Sequence, residues 1–286
     1  MRSRTPLLHR FHKRNPDGDY EVTEEEVLGA NVSVHDMEAK SYDDIHLEIF
    51  NLVEQRRLLR SLKRGLSLIE SNSTWALDYG CGTGNVTSKL LAFGFNVVAA
   101  DISEKMLETI RRKFPQAFRS GRLMTYLVKD KSIDFPDGFF CFVAAYSVLH
   151  HLYDYMSAIK EMCRVLSDGG VLYVDHELAD SYWKLRYSPL YEFYAGISDV
   201  ANYAYVRYFR RKTFPVKDYS SADYRTREST RIAWSTVKQF LIENGFSVHE
   251  NKYLLHRSFL PSPLYLLVSF GKDSVSFICV KMRLPK

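Results

Sequence analysis

The stretch LDYGCGTGN, Leu77 to Asn85, decides the fold. Ser73-Thr74-Trp75-Ala76 leads into it, and Val86-Thr87-Ser88-Lys89-Leu90-Leu91 follows with the pattern of an amphipathic helix. The reading is a short apolar strand, a glycine-rich turn and a helix. Gly80, Gly82 and Gly84 alternate, so the backbone can take positive φ and lie close to a ligand. Such a turn offers N–H groups at a helix N-terminus. At the end of the first strand of a doubly wound sheet it marks a nucleotide-type site.

The spacing narrows the ligand. A dinucleotide site asks for G-x-G-x-x-G. Here the pattern is G-x-G-x-G, and Asn85 stands where the third glycine belongs. No Gly-Lys-Ser/Thr follows, which removes a phosphate loop. Asp78 precedes the glycines, and Asp101 ends the next apolar run, Asn96 to Ala100. Two carboxylates match a pyrophosphate poorly. They suit a ligand that carries an ammonium group and a ribose diol.

At these residues the chain resembles the class I S-adenosylmethionine-dependent methyltransferases, in particular their ubiquinone-biosynthesis-like group. The resemblance runs from about Thr74 to Glu177. It rests on Asp78, Gly80, Gly82 and Gly84; on VVAADISEKML around Asp101; on Val128-Lys129-Asp130 before Phe135-Pro136-Asp137-Gly138; on AAYSVLHHL, Ala144 to Leu152; and on EMCRVLSDGGVLYVDHE, Glu161 to Glu177. One departure is Cys141 after Phe140, where many relatives have aspartate.

The resemblance implies an α/β fold: a doubly wound, Rossmann-like, seven-stranded sheet with strand seven antiparallel. It also implies an N-terminal helical cover and a helical lid inserted after strand five. Strands are expected near 75–78, 97–101, 123–128, 141–146, 171–175, 248–255 and 275–282, with helices near 86–92, 104–113, 155–166 and 236–244. The expected organisation is a basic, flexible segment over 1–34, the helical cover over 35–70 and the core over 71–286, with an aromatic-rich substrate insertion over 178–229. Ser181 to Tyr224 holds 13 aromatics in 44 residues, double the density of the whole chain. Within it, Leu190, Phe193, Tyr194, Ile197, Ala201, Ala204 and Tyr208 recur at helical spacing, consistent with a packed helix or an aromatic pocket wall. Leu260 to Phe270 reads as a buried connection, with a dimer surface or a shallow membrane contact as the alternatives.

Residue roles follow from the same resemblance. S-adenosylmethionine would be the cofactor and S-adenosylhomocysteine its product. Asp78 and the Gly80 backbone would orient the methionine end, and Gly82 and Gly84 would permit close approach. Cys81 would be a small filler of the same loop. Asp101 would hold the ribose hydroxyls, and Ile102 and Met106 the adenine faces. Asp130 and Lys131 would reach the adenine edge, and Tyr42 would touch the cofactor from the cover. Tyr146 would face both cofactor and acceptor. His151 and His176 are the candidate bases, with a structural cap as the alternative for His150-His151. The spacing contains no metal-ligand motif.

The acceptor expected from the aromatic insertion is a small apolar, aromatic or lipid-like molecule, methylated at O, C or N. The alternatives are an RNA or protein methyltransferase and a non-catalytic binding protein. A net charge of +5 permits a nucleic-acid partner without arguing for one. No run of 18 apolar residues suggests a transmembrane helix. Four cysteines without metal-type pairing read as reduced thiols of a cytoplasmic protein. The oligomeric state has no sequence signal.

Overall fold

The structure is a computed structural model that describes residues 22–129, 132–215, 222–256 and 272–282. In chain order the elements are α1 (Glu24–Glu38), α2 (Tyr42–Ile45), α3 (Leu47–Phe50), α4 (Leu52–Leu66), β1 (Trp75–Tyr79), α5 (Asn85–Ala92), β2 (Asn96–Asp101), α6 (Glu104–Lys113), α7 (Pro115–Arg119), β3 (Leu123–Leu127), β4 (Phe140–Tyr146), α8 (Tyr155–Val165), β5 (Leu166–Leu178), α9 (Tyr182–Leu185), α10 (Pro189–Ala204), α11 (Trp234–Glu243), β6 (Phe246–Tyr253) and β7 (Ser274–Lys281).

The seven strands form one sheet in the order β3-β2-β1-β4-β5-β7-β6. Strands β1 to β5 are parallel, and β7 runs antiparallel to both β5 and β6. The central strands are buried on both faces, as helices packed on each side of a parallel sheet require. One layer joins Leu77, Val143 and Leu172 to Ile159 of α8 and Val237 of α11. The other joins Ala76, Val97 and Phe142 to Leu58 and Leu62 of α4, Leu90 of α5 and Ile110 of α6. The order reverses between β1 and β4, which opens a crevice at their carboxyl ends. No helix among the described residues is long and apolar enough to cross a membrane.

Two expectations change at the N-terminal side. The boundary drawn at residue 34 cuts through α1. Thr23 and Glu26 form a reciprocal capping box that starts this helix. Val27, Asn31 and Val34 bury one of its faces. Within the helical cover expected over 35–70, the chain from Tyr42 onward is three helices, and the last begins where Asn51 caps Val53 and Glu54. Residues 1–21, Asp130, Lys131 and Leu260 to Phe270 lie outside the described residues.

The insertion also differs from its expected form. In α10 the buried side chains are Tyr191, Tyr194, Ala195 and Ser198. Leu190, Phe193, Ile197 and Val200 face outward, with Phe193 57% and Val200 63% exposed. The helical spacing was sound, but the apolar stripe it picked out is largely on the opposite side from the core. Tyr182, Trp183, Tyr191, Tyr194 and Leu254 make a separate small core beside β6.

Candidate active site

The glycine turn leaves β1 beside β2. Gly80 and Cys81 donate their N–H groups to Ala100 O, at 2.8 and 3.0 Å, and Gly82 N donates to Asp101 Oδ2 at 2.8 Å. The turn is thus tied to the end of β2, and those three amides are spent within the protein instead of reaching outward. Gly80 has φ 69°, and a Cβ there would lie 2.4 Å from Val148 Cγ2. Gly82 has φ 50°, and a Cβ there would meet nothing within 4 Å. That space belongs to a cleft of about 530 Å³. A Cβ on Gly84 would come within 2.8 Å of the Phe114 ring, so this glycine serves packing.

The cleft is walled by Gly80, Cys81, Gly82, Thr83 and Asn85 from the turn, Asp101 and Ile102 from β2, and Tyr146 to Val148 after β4. Helix α1 covers it through Val27, Leu28, Asn31 and His35, and Tyr42 closes one end. A volume of this size suits a nucleoside-sized ligand. Asp101 is buried, and Ser103 N donates to its Oδ1 at 2.9 Å. Burial pushes its pKa up to about 6 against these hydrogen bonds. A carboxylate has about four acceptor positions, so a diol can still be held there.

Two buried polar atoms on the cleft wall have no protein partner: Asn85 Nδ2, a donor, and Asn31 Oδ1, an acceptor. Lys89 Nζ fixes the Asn85 amide by binding its Oδ1 at 2.8 Å. Orphaned groups of both kinds fit a ligand with carboxylate and amine functions. The open cradle at Gly82 and the acidic end of β2 fit its nucleoside part.

Two of the expected contact residues lie off the cleft wall. Asp78 is buried behind the turn, where its Oδ2 accepts from Thr87 N at 2.7 Å and Thr87 Oγ1 at 2.6 Å. It braces the start of α5 and is not part of the cleft wall. Met106 is fully buried in α6, also off the wall. The Cys81 thiol lines the cleft, but burial raises its pKa well above the usual range, so it is not an activated nucleophile.

A second, smaller cavity of about 90 Å³ adjoins the cleft, and both share His35, Tyr42, Ile49, Ser147 and His151 as walls. Its lining brings together five histidines (35, 46, 150, 151 and 176) with Glu38, Glu48, Glu177 and Asp223, beside apolar Val34, Ile49, Leu178 and Leu255. None of the α10 aromatics lines either cavity, so the expected aromatic wall is not formed by this helix. The insertion contributes Leu178, Asp223 and Thr226.

The ends of β4 and β5 meet at this cavity in a strained arrangement. Ser147 and His176 both take positive φ, 61° and 63°, which non-glycine residues rarely do. They lie side by side, with His176 Nδ1 3.2 Å from Ser147 Oγ and Ser147 N donating to Asp175 O at 2.9 Å. The Tyr146 hydroxyl and His176 Nε2 are both buried without a partner. Their rings are 5.0 Å apart. Asp175, fully buried, holds this corner by accepting from Arg57 Nη1 at 2.9 Å and Tyr253 Oη at 2.9 Å. Burial, reinforced by the Arg57 charge, lowers the His176 pKa to about 4. Burial and the neighbouring His150 lower His151 to about 4 as well. Both are neutral imidazoles near pH 7.

This histidine-lined cavity is not legible in the sequence because His35, His46 and Asp223 come from separate segments with no shared spacing. The structure brings His176 and Tyr146 together, with their rings 5.0 Å apart. His151 sits at the join of the two cavities, with Nδ1 3.1 Å from Ala222 O.

Comparison with known proteins agrees with this geometry. Residues 77–174 match the family model described as a methyltransferase domain. The chain is 28% identical over 240 residues to the ubiquinone/menaquinone biosynthesis C-methyltransferase UbiE of Neisseria meningitidis, covering 79% of this chain and 86% of that protein. These likenesses support a class I S-adenosylmethionine-dependent methyltransferase. It is also 28% identical over 142 residues to the O-methyltransferase cnsE of Penicillium expansum, which spans 48% of this chain and only 51% of that relative's length. A SAM-dependent methyltransferase from Anabaena variabilis superposes with a TM-score of 0.57 at 14% identity, over 95% of this chain and 100% of that one, a likeness of fold.

Proposed function

We propose that the protein transfers a methyl group from S-adenosylmethionine, held in the 530 Å³ cleft, to an oxygen or nitrogen of a small polar acceptor whose reacting end enters the histidine-lined cavity. The observation that carries this is the pair of orphaned buried atoms, Tyr146 Oη and His176 Nε2, at the strained junction of β4 and β5. Strain and unmet hydrogen bonds concentrate where a ligand completes the structure.

When bound, the cofactor supplies an activated sulfonium methyl for in-line displacement. The chain's own residues then have four tasks. Asp101 holds the ribose hydroxyls with its remaining acceptor positions. Asn85 Nδ2 and Asn31 Oδ1 take the polar methionine end. Helix α1 keeps water out of the cleft, which serves a displacement that needs close approach of two reactants. Tyr146 Oη donates to the acceptor heteroatom. With Nδ1 donating to Ser147 Oγ, His176 Nε2 carries the lone pair and takes the acceptor proton. Its lowered pKa leaves it unprotonated at neutral pH.

The cavity walls carry imidazole, carboxylate and hydroxyl side chains that a polar reacting end can meet.

The test is methyl transfer from labelled S-adenosylmethionine to a panel of small phenols, hydroxy acids and amines. The reading expects turnover on at least one polar acceptor, and turnover that falls in Tyr146→Phe and His176→Gln while S-adenosylhomocysteine binding persists. Turnover that survives both substitutions contradicts these roles.

A further inference from the structure

The histidine-lined cavity also assembles a set of metal-type donors that no sequence spacing reveals. His150 and His151 are adjacent after β4, and Asp223 arrives from 72 residues beyond His151. One ligand atom from each lies within 4.8 Å of the others. All three line the same cavity and are partly accessible from it.

The surroundings of the two imidazoles strengthen the reading. His150 Nδ1 lies 2.9 Å from Glu177 Oε2. Glu177 is itself buried and fixed, because its Oε1 accepts from Val148 N at 2.8 Å and Leu149 N at 2.7 Å. His151 Nδ1 lies 3.1 Å from the Ala222 carbonyl, and Asn31 Nδ2 holds the His151 carbonyl at 3.0 Å. His150 Nδ1 therefore faces a fixed carboxylate, the support found behind metal-bound histidine. Asp223 Oδ1 lies 3.3 Å from His151 Nδ1, so a cation shared by these two would enter at that contact. The rings pack 4.0 Å apart between centroids, an arrangement that a shared cation stabilises and two imidazolium charges would oppose.

We propose that His150, His151 and Asp223 bind a divalent first-row transition cation of the zinc type in the wall of this cavity. Two imidazoles and one carboxylate are an N/O donor set suited to Zn²⁺ and its neighbours and poorly suited to Mg²⁺ or Ca²⁺. Three protein ligands leave a coordination position open towards the cavity. On the methyl-transfer reading, that position takes the acceptor oxygen and lowers its pKa. The metal binding itself does not depend on that reading.

The test uses the full chain, stripped with a chelator and exchanged into metal-free buffer. Zn²⁺ alone is titrated calorimetrically, and Co²⁺ alone is followed by its visible absorption. S-adenosylhomocysteine is titrated in parallel. The expected result is one saturable metal ion per chain, displaced by Zn²⁺ when Co²⁺ is bound. Asp223→Asn, which keeps shape and removes the charge, weakens it about tenfold or more. His151→Gln serves as the second variant, with circular dichroism and thermal denaturation reporting that each is folded. Absence of saturable binding in the wild-type chain overturns the proposal, as does binding unchanged in both variants. Metal binding without S-adenosylhomocysteine binding would sink the methyltransferase reading and leave the metal site standing.

Discussion

Replacing Gly80 and Gly82 by alanine, one at a time, separates a structural glycine from a ligand-facing one. Both have positive φ, so alanine costs roughly 1–2 kcal/mol at either position from backbone strain alone. At Gly80 the new Cβ would sit 2.4 Å from Val148 Cγ2 and 2.8 Å from Val148 Cγ1. Val148 is buried, and its N–H is held by Glu177, so it cannot withdraw freely. Overpacking of this kind adds about 1–3 kcal/mol. Gly80→Ala should therefore lower the unfolding free energy by about 2–5 kcal/mol. At Gly82 the Cβ points into open cleft, so the loss stays near the strain value of about 1–2 kcal/mol. The methyl group then occupies space the cofactor needs, and S-adenosylhomocysteine affinity should fall by about tenfold or more, equivalent to at least about 1.4 kcal/mol. Urea denaturation and calorimetric titration on the same preparations measure both quantities. A folded Gly82→Ala protein that binds S-adenosylhomocysteine as tightly as wild type would refute the reasoning. So would a Gly80→Ala protein no less stable than Gly82→Ala.

Two further outcomes are expected. Arg57→Met leaves the fully buried Asp175 without its guanidinium partner and should destabilise the fold by about 3–5 kcal/mol; denaturation indistinguishable from wild type would mean that the tyrosine hydrogen bonds suffice. The His176 pKa of about 4 in the fold lies below the ordinary 6.5, so its contribution to stability is complete above pH 6.5 and is lost as pH falls from 6.5 to 4. Over that window the wild-type chain should lose about 3 kcal/mol more than His176→Gln, and parallel pH–stability curves for the two proteins would contradict the assignment.

The sheet was legible because its signals are local. An apolar strand, a glycine turn and an amphipathic helix announce β1 and α5, and the same alternation carries through β5. Helix α6 spans the residues expected for it, 104–113, and β6 and β7 fall within about two residues of theirs. The Thr23-x-x-Glu26 capping box was present in the sequence, but a sparse apolar pattern after it concealed α1. The breaks at His46 and Asn51 within the expected 35–70 cover were not legible, since apolar spacing survives a short non-helical joint. The outward face of α10 was misread for a related reason. Periodicity marks an apolar stripe without saying whether anything covers it. In the site, Gly82, Asp101, Ile102 and Tyr146 line the cleft, at or just after strand ends set by the sheet. Asp78 was assigned outward because a carboxylate beside glycines suits a ligand; the hydroxyl and amide of Thr87 claim it instead. The histidine-rich cavity depends on tertiary contacts between α1, the turn after β4, the end of β5 and the segment around Asp223, and no single window of sequence contains it.

Calorimetric titration of the full chain with S-adenosylhomocysteine, with NADH as control, tests the central claim most directly. The account expects one saturable site per chain for S-adenosylhomocysteine with a micromolar or tighter Kd, and no binding of NADH. A chain that is folded and binds neither, or that binds NADH alone, would contradict it.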